Sequence, residues 1–234
     1  MPAVTRTVDL EDGRRARLVF TDGAVGDLRV DLDPAVLDER RAAIAPGRWT
    51  WMRQAHGPEV VVVDGPGAGA GRAADAAVTV IAGAPIAVHT ADCAPIALVA
   101  PTGGVGVVHA GWRGLEAGVV AGAVRALRSV VGDERVDATL GPCIHPECYE
   151  FGAVDLDRVA GRFGPDVRAR TATGRPALDL PLAVARALAE LDVRLDTSAS
   201  TCTGCDPRWW SHRARGDRSR QALVAWIDDA EVGR

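Results

Sequence analysis

Apolar residues along this chain are grouped in short runs that end at Gly, Pro or Asp, a pattern typical of buried β-strands. Runs rich in Val, Ile or Ala predict strands at residues 16–20, 60–63, 86–89, 96–100, 105–109 and 222–227. Apolar residues at helical intervals predict helices at 115–131 and 182–191, with a third near 36–44. Strands and helices mixed without strict alternation predict an α/β or α+β fold.

Composition limits the class of protein. A chain of 234 residues can bury a substantial core, and 47% hydrophobic with 25% charged residues is typical of globular proteins. The net charge of -4 provides no basic field for nucleic acid, although all 27 basic residues are arginines. No apolar run approaches the length of a membrane span, and the first residues lack the apolar segment of a signal peptide. We therefore expect a cytoplasmic protein that does not associate with membranes.

The cysteine content points to chemistry other than a disulfide framework. Five cysteines are present, and nothing in the sequence indicates secretion. Each cysteine is therefore interpreted first as a buried thiol, a metal ligand or a nucleophile.

A glycine-rich segment at residues 65–71 resembles a phosphate-binding loop only superficially. It contains neither the lysine nor the Ser/Thr that a P-loop uses to bind phosphate and Mg²⁺. The segment predicts a flexible surface connection.

Three short segments place candidate zinc ligands beside predicted strand ends. They contain His56, Cys93 and His109 respectively. Two imidazoles and one thiolate suit zinc and leave a fourth position for water or substrate. The gaps between the three residues match no compact zinc motif, however, so spacing alone favours a buried thiol and two ordinary loop or core histidines.

The amino-acid sequences around these three residues favour the zinc site over the alternative of ordinary buried residues. The strings RQAHG, ADAAVT, HTADCAPI, VGVVHAGWRG, LGPCIHPECYEFG and CTGCDPRWWSHRARGDRSRQ follow one another in this order. Together they resemble the laccase-domain family, first described as multicopper polyphenol oxidases and later as purine nucleoside phosphorylases. The matching segments extend from Trp51 to Ile227 and therefore cover most of the chain.

The resemblance implies a single domain over residues 1–234, folded as a layered sandwich of mixed β-sheets flanked by helices. It also implies that His56, Cys93 and His109 bind one zinc ion per chain. The implied activities are phosphorolysis of adenosine, inosine, guanosine and methylthioadenosine, together with adenosine deamination. Purine nucleosides and phosphate are then the partners of a monomer or small homo-oligomer.

Two other functions are carried as alternatives. Bacterial relatives are also described as hydrolases that edit a peptidoglycan precursor, for which Cys93 beside two histidines could act as nucleophile. Copper-dependent oxidation of phenols requires several copper ions and many histidines, whereas this chain has five histidines. A mononuclear zinc site fits that count better than copper does.

Further residues near the three segments are assigned provisional roles. Arg113 is proposed to bind phosphate through its planar guanidinium, with an ion pair that fixes its loop as the alternative. Asp92 could orient a ligand or act as an acid or base, or it could cap the turn that follows. Asp75 has the same two interpretations. Cys93 is both a predicted ligand and a predicted catalytic residue.

Substrate contacts are predicted on two other segments. Gln54 could bind substrate, support a metal ligand or hold its own loop. His212 and Arg213 match the aromatic-Ser-His-Arg segment of the family and are predicted substrate contacts. The family's glycine before Arg220 is missing here, which leaves the geometry of this loop open.

The segments that contain the remaining cysteines depart from the family pattern at several positions. His145 stands where relatives often have glycine, and Glu147 stands where they often have a second cysteine. Cys202 matches the family, whereas the residue at the position of Cys205 is usually not cysteine. Because no second CxxC pair follows, the CTGC segment predicts a structural thiol, and Cys143 and Cys148 are left without an assigned role.

Overall fold

The structure, a computed structural model, describes residues 4–132 and 135–229. Its strands are β1 Val4–Asp9, β2 Arg15–Phe20, β3 Thr50–Arg53, β4 Val60–Val63, β5 Arg72–Ala73, β6 Ala76–Thr79, β7 Ile86–Thr90, β8 Ala94–Ala100, β9 Gly104–Ala110, β10 Asp137–Leu140, β11 Arg168–Arg170, β12 Pro176–Leu178, β13 Arg194–Asp196 and β14 Gln221–Ile227. Its helices are α1 Pro34–Ala42, α2 Trp112–Glu116, α3 Val119–Val131, α4 Ala153–Phe163, α5 Leu180–Ala189 and α6 His212–Arg215.

Two six-stranded mixed sheets organise these elements. The first sheet has the order β1-β2-β14-β7-β3-β5, and the second has the order β13-β10-β8-β9-β6-β4. Three of the five pairs in each sheet are antiparallel, whereas β3 runs parallel to both β7 and β5, β4 runs parallel to β6, and β10 runs parallel to β13. A separate pair is formed by β11 and β12. The predicted mixed α/β class is therefore confirmed.

The alternation of side chains along β14 shows how the layers are arranged. Leu223, Ala225 and Ile227 belong to the core between the two sheets, whereas Val224 and Trp226 belong to a smaller core on the outer face of the first sheet. Successive side chains on a strand point to opposite faces, so a strand covered on both faces is apolar throughout. The outer face of the second sheet packs against the helices, giving a layered sandwich.

The predicted helix over 115–131 is wrong in one respect, because the structure divides it into α2 and α3. The break lies at Gly118, whose φ of 92° is in the left-handed region that favours glycine. Gly118 also precedes α3 as its N-cap residue. The break lets α2 leave the end of β9 in one direction while α3 packs over the second sheet.

The other predicted elements are present, with bounds that differ by one to two residues in most cases. The helix near 36–44 corresponds to α1, where Pro34 occupies the first turn and the Asp33 side chain accepts hydrogen bonds from the amides of Ala35 and Val36.

The glycine-rich segment is a hydrogen-bonded series of turns, joined to β3 by a 2.7 Å hydrogen bond from Gly71 N to Trp51 O. Within the described ranges, no helix is both long and apolar enough to cross a bilayer.

Candidate metal centre and active site

His56, Cys93 and His109 come from three separate strand ends and meet at one place. His56 follows β3, Cys93 lies in the short connection between β7 and β8, and His109 is near the end of β9. Their ligand atoms all lie within 4.8 Å of one another. Cys93 Sγ is 3.7 Å from His56 Nε2, and the two imidazole rings approach edge to face with centroids 4.8 Å apart.

Asp75, just before β6, holds two members of this triad in position. Its carboxylate accepts hydrogen bonds from the backbone amides of Ala55, His56 and Gly57 at 3.0, 3.0 and 2.8 Å. Its Oδ1 also lies 2.7 Å from His109 Nδ1. His56 has a φ of 58°, an uncommon conformation for a residue other than glycine. The three hydrogen bonds from the backbone amides to Asp75 stabilise this conformation. Asp75 therefore positions both histidines at once.

Gly111 permits the close approach of the triad. A Cβ at this position would lie 2.5 Å from His56 Cδ2 and 3.1 Å from Cys93 Sγ. The conformation of Gly111 is ordinary extended backbone, so space and not φ requires glycine here. The glycine of the HAGWRG string thus has a steric role at the site.

The charges in the triad favour a thiolate. Burial opposes ionisation of Cys93, but His109 and His56 outweigh it and lower the pKa of the thiol to about 6. Burial likewise opposes the charge on His109, yet Cys93 and Asp75 raise its pKa to about 9. The pKa of Asp75 is lowered despite its burial, because His109 and the amides donate to it. The cluster thus combines a thiolate with strongly polarised imidazoles.

Asp92, which precedes Cys93, has its carboxylate occupied by the segment that leads into α6. Oδ1 accepts from Thr203 Oγ1 at 2.7 Å and from Ser211 Oγ at 2.6 Å, and Oδ2 accepts from the Arg213 amide at 2.6 Å. Asp92 is buried and has a φ of 96°. These contacts support a positioning role for Asp92, since its oxygens are committed to protein donors.

The triad opens onto a cavity of about 580 Å³, and all three of its residues contribute to the lining. Arg29, Arg53 and Arg220 also line it. Such a volume lies within the range of small-molecule sites. The cavity therefore combines a soft ligand set, three arginine residues in its lining and room for a ligand the size of a nucleoside.

His89 lines the cavity, although no role is predicted for it from its motif. Its side chain is buried, and neither ring nitrogen has a protein partner. Burial, followed by the positive charge of Arg41, lowers the pKa of His89 to about 3, so the ring is neutral. Thr90 also lines the cavity and has a buried hydroxyl without a partner. A sequence signal was available, since a histidine stood inside an otherwise apolar strand.

Of the remaining predicted substrate residues, two line the cavity and two lie elsewhere. Gln54 and His212 line the cavity. The Gln54 amide exchanges two hydrogen bonds with the backbone of His89, at 2.7 and 2.8 Å, and so joins β3 to β7. Arg213 is placed over the ring of Tyr149 and donates to the carbonyl of Glu150 at 2.6 Å. Arg113 is exposed, does not line this cavity, and stacks on Trp112 with its Cζ 4.2 Å from the ring centroid.

The donor set of the triad fits a zinc ion. Two nitrogens and one sulfur are the ligand atoms of open zinc sites, and Asp75 contacts the other ring nitrogen of His109, as carboxylates do for zinc-bound histidines. Because Gly111 has no side chain, His56 and Cys93 can approach each other closely enough to share an ion. His56, Cys93 and His109 are therefore the residues that could hold a metal here.

Comparison with known proteins identifies the family. A model of the family described as multi-copper polyphenol oxidoreductase laccase matches residues 23–228. The chain belongs to this family, as the resemblance of its motifs implied. A protein of Streptomyces griseus named purine nucleoside phosphorylase is 39% identical over 216 residues, covering 88% of this chain and 85% of its own length. One of Xylella fastidiosa with the same name is 40% identical over 230 residues, covering 91% and 85%.

Solved structures show the same fold. YlmD from Geobacillus stearothermophilus superposes with a TM-score of 0.79 at 26% identity, covering 92% of each chain. The Neisseria meningitidis protein NMB0706 also gives a TM-score of 0.79, at 23% identity, covering 97% of this chain and 99% of its own. The layered sandwich is thus shared across the length of these proteins.

Proposed function

We propose that this protein is a zinc-dependent purine nucleoside phosphorylase. The observation that carries the proposal is the opening of the His56, Cys93 and His109 triad onto an arginine-lined cavity of about 580 Å³. The names of the relatives from Streptomyces griseus and Xylella fastidiosa support the same activity. We further propose adenosine, inosine, guanosine and methylthioadenosine as substrates, and a single domain over residues 1–234 located in the cytoplasm.

Phosphorolysis requires an anion site next to the sugar of the nucleoside. A phosphate oxygen forms a bond to C1′ while the bond from C1′ to the purine nitrogen breaks, and its electron pair leaves with the base, which then takes up a proton. A guanidinium group suits this anion because its planar fork binds phosphate through two donors. We propose Arg220 for this anion because it lines the cavity, and Arg113, the candidate from the sequence, is the alternative.

The metal and the neutral histidine would act on different parts of the substrate. Zinc bound by the triad would supply a Lewis acid that polarises a substrate atom. We propose that His89 contacts the purine base, because a neutral imidazole can both donate and accept a hydrogen bond. Gln54 then acts indirectly, by holding the backbone of His89. His212 is proposed to contact the substrate from the opposite segment of the lining.

Adenosine deamination is proposed as a second activity of the same cavity. In this reaction an oxygen from water bonds to C6 of the purine and ammonia leaves. Both reactions need the base and the triad in one cavity, but only phosphorolysis needs the anion site. Omission of phosphate should therefore stop release of base and leave release of ammonia intact.

The experiment that tests the proposal combines metal analysis with two assays on the purified protein. Phosphate-dependent release of base from adenosine or inosine should be lost in Cys93→Ala, together with one equivalent of zinc. Full activity in a metal-free preparation would contradict the proposal. Hydrolysis of a peptidoglycan precursor by the metal-free protein, without phosphorolysis, would instead favour a hydrolase in which Cys93 is the nucleophile, which its lowered pKa would assist. Copper content with oxidation of phenols would favour the oxidase.

A further inference from the structure

A second group of thiols lies outside the triad. Cys148 ends the short 3-10 turn Pro146–Cys148, whereas Cys202 and Cys205 come from the connection between β13 and α6. Their sulfur atoms all lie within 4.8 Å of one another, and Cys148 Sγ is 3.3 Å from Cys205 Sγ. Two loops that are more than fifty residues apart in sequence thus bring three soft ligands together.

The backbone around these cysteines is built to hold them there. Cys143 and Cys202 form a parallel bridge, with hydrogen bonds from Cys143 N to Thr201 O and from Thr203 N to Cys143 O at 3.1 and 3.0 Å. Beyond this bridge the chain turns, and the Cys205 amide donates to Cys202 O at 3.2 Å. The turn directs two sulfurs of the CTGC segment to one side.

Gly204 makes room for the third sulfur. A Cβ at this position would lie 2.7 Å from Cys148 Cβ and 2.8 Å from Cys148 Sγ. Any larger residue would force the two loops apart. The Cys202 sulfur also accepts a hydrogen bond from the His145 amide at 3.4 Å, and such donors stabilise a thiolate.

The distances suit metal coordination better than a disulfide. A covalent S–S bond is about 2.05 Å long. Two thiolates on a tetrahedral zinc ion lie about 3.8 Å apart, since each Zn–S bond is about 2.3 Å. The observed 3.3 Å between Cys148 and Cys205 is nearer to the second value, and both residues are partly accessible from outside, so an ion could reach them.

We propose that Cys148, Cys202 and Cys205 form a second, structural zinc site, with the carboxylate of Glu147 as the fourth ligand. Glu147 Oε1 is 3.6 Å from Cys205 Sγ, and three thiolates with one oxygen complete a closed tetrahedral set. His145 Nδ1 lies 3.9 Å from the same carboxylate oxygen and would orient it.

The second site is connected to the triad through Thr203. This residue lies between Cys202 and Cys205, and its hydroxyl donates to Asp92 at 2.7 Å. Asp92 directly precedes Cys93 and also accepts from Ser211 and from the amide of Arg213. Zinc on the three thiols would therefore fix the loop that holds Asp92, and with it the connection that carries Cys93.

The test uses the full chain, prepared under reducing conditions and reconstituted with Zn²⁺ alone, in the background of Cys93→Ser. Native mass spectrometry should find one zinc per chain in this background, and none after Cys205→Ser or Cys148→Ser is added. Cys143→Ser is the matched control, because Cys143 is a neighbouring thiol outside the three, and it should keep the ion. The background makes the result independent of whether the triad itself binds metal.

Spectroscopy separates loss of a ligand from loss of the fold. With Co²⁺ in place of zinc, the Cys93→Ser protein should show a thiolate-to-cobalt charge-transfer band, and the added Cys205→Ser change should remove that band while the far-ultraviolet circular dichroism stays unchanged. Absence of zinc from the reduced Cys93→Ser protein would overturn the proposal. So would unchanged zinc content in Cys205→Ser, or a mass lower by two hydrogens in reduced samples that is restored in Cys205→Ser and Cys148→Ser, which indicates a disulfide between these two residues.

Discussion

Asp75 and His109 are joined by a 2.7 Å contact between Oδ1 and Nδ1, and the same carboxylate accepts the backbone amides of the His56 loop. One buried side chain therefore determines the position of two of the three candidate ligands. Asp75 also sets the orientation of the His109 imidazole. Because Nδ1 faces the carboxylate, Nε2 is left to bind a metal. The sequence left Asp75 open between a catalytic and a structural role, and its contacts favour positioning.

Asp75→Asn should weaken zinc binding at the triad by roughly 10- to 100-fold, the usual cost of losing a carboxylate behind a ligating histidine. The variant should also lose about 2 kcal/mol of unfolding free energy, because one amide oxygen cannot replace a carboxylate that accepts from four donors. Zinc titration and denaturant unfolding would measure the two effects. Asp64→Asn, at an exposed position after β4, is the control and should change neither.

The same carboxylate predicts a dependence of stability on pH. The pKa of Asp75 is lowered below its ordinary value of 3.8, so its contribution to stability is complete above that pH. The contribution is lost as the pH falls through the lowered pKa of the folded state. Unfolding curves of the metal-free protein should therefore show wild type and Asp75→Asn converging in strong acid. A constant difference between them down to the lowest pH would contradict this.

Gly111→Ala should disrupt the triad without unfolding the chain. The added methyl group would lie 2.5 Å from His56 Cδ2, so the imidazole must move away from Cys93. We expect zinc at the triad and phosphorolysis to be lost together, whereas circular dichroism stays unchanged. Gly161→Ala is a matched control, since a Cβ there meets nothing within 4 Å and the residue lies inside α4. It should retain activity and gain about 1 kcal/mol of stability.

Arg220→Ala and Arg113→Ala together test which guanidinium binds phosphate. Arg220 lines the cavity, whereas Arg113 is exposed and stacked on Trp112. We expect Arg220→Ala to raise the KM for phosphate at least tenfold with a smaller effect on the KM for nucleoside. Arg113→Ala should then have a weaker effect on phosphate. Steady-state kinetics with each substrate varied in turn would decide, and the reverse order would restore Arg113 to the role inferred from its motif.

His89→Leu should raise the KM for nucleoside while leaving the affinity for phosphate unchanged, and His89→Gln should restore part of the loss by replacing the hydrogen bonds. Steady-state kinetics would measure both effects.

The burial of His89 also predicts how stability depends on pH. Burial lowers the pKa of His89 to about 3, so the unfolded chain binds more protons at this residue in mild acid. Wild type should consequently lose stability between about pH 6.5 and about pH 3, and His89→Leu should lose less. Equal losses would show that His89 is not buried in its neutral form.

The strands were predictable because their apolar runs depend on local sequence. The run at 60–63 coincides with β4, and the run at 222–227 lacks only the first residue of β14. The short strands β5, β11 and β13 have no such signal, since they contain only two or three residues with exposed or half-buried side chains and are defined by pairing alone. The prediction of one helix over 115–131 failed at Gly118. The positive φ of this residue ends one helix and precedes the next, although the apolar periodicity continues on both sides.

The sequence by itself determined the family, the mixed α/β class and the residue types of the candidate site. The residues of each motif and the order of the motifs along the chain were enough for these predictions, because motifs such as HTADC and HAGWRG are short stretches of local sequence. Only the tertiary structure decided that Asp75 supports both histidines, that His89 enters the cavity and that Arg113 does not line it. It alone brought Cys148 beside Cys202 and Cys205. Each of these relationships joins segments far apart in the chain, and their distances depend on sheet register and loop packing, which no local pattern specifies.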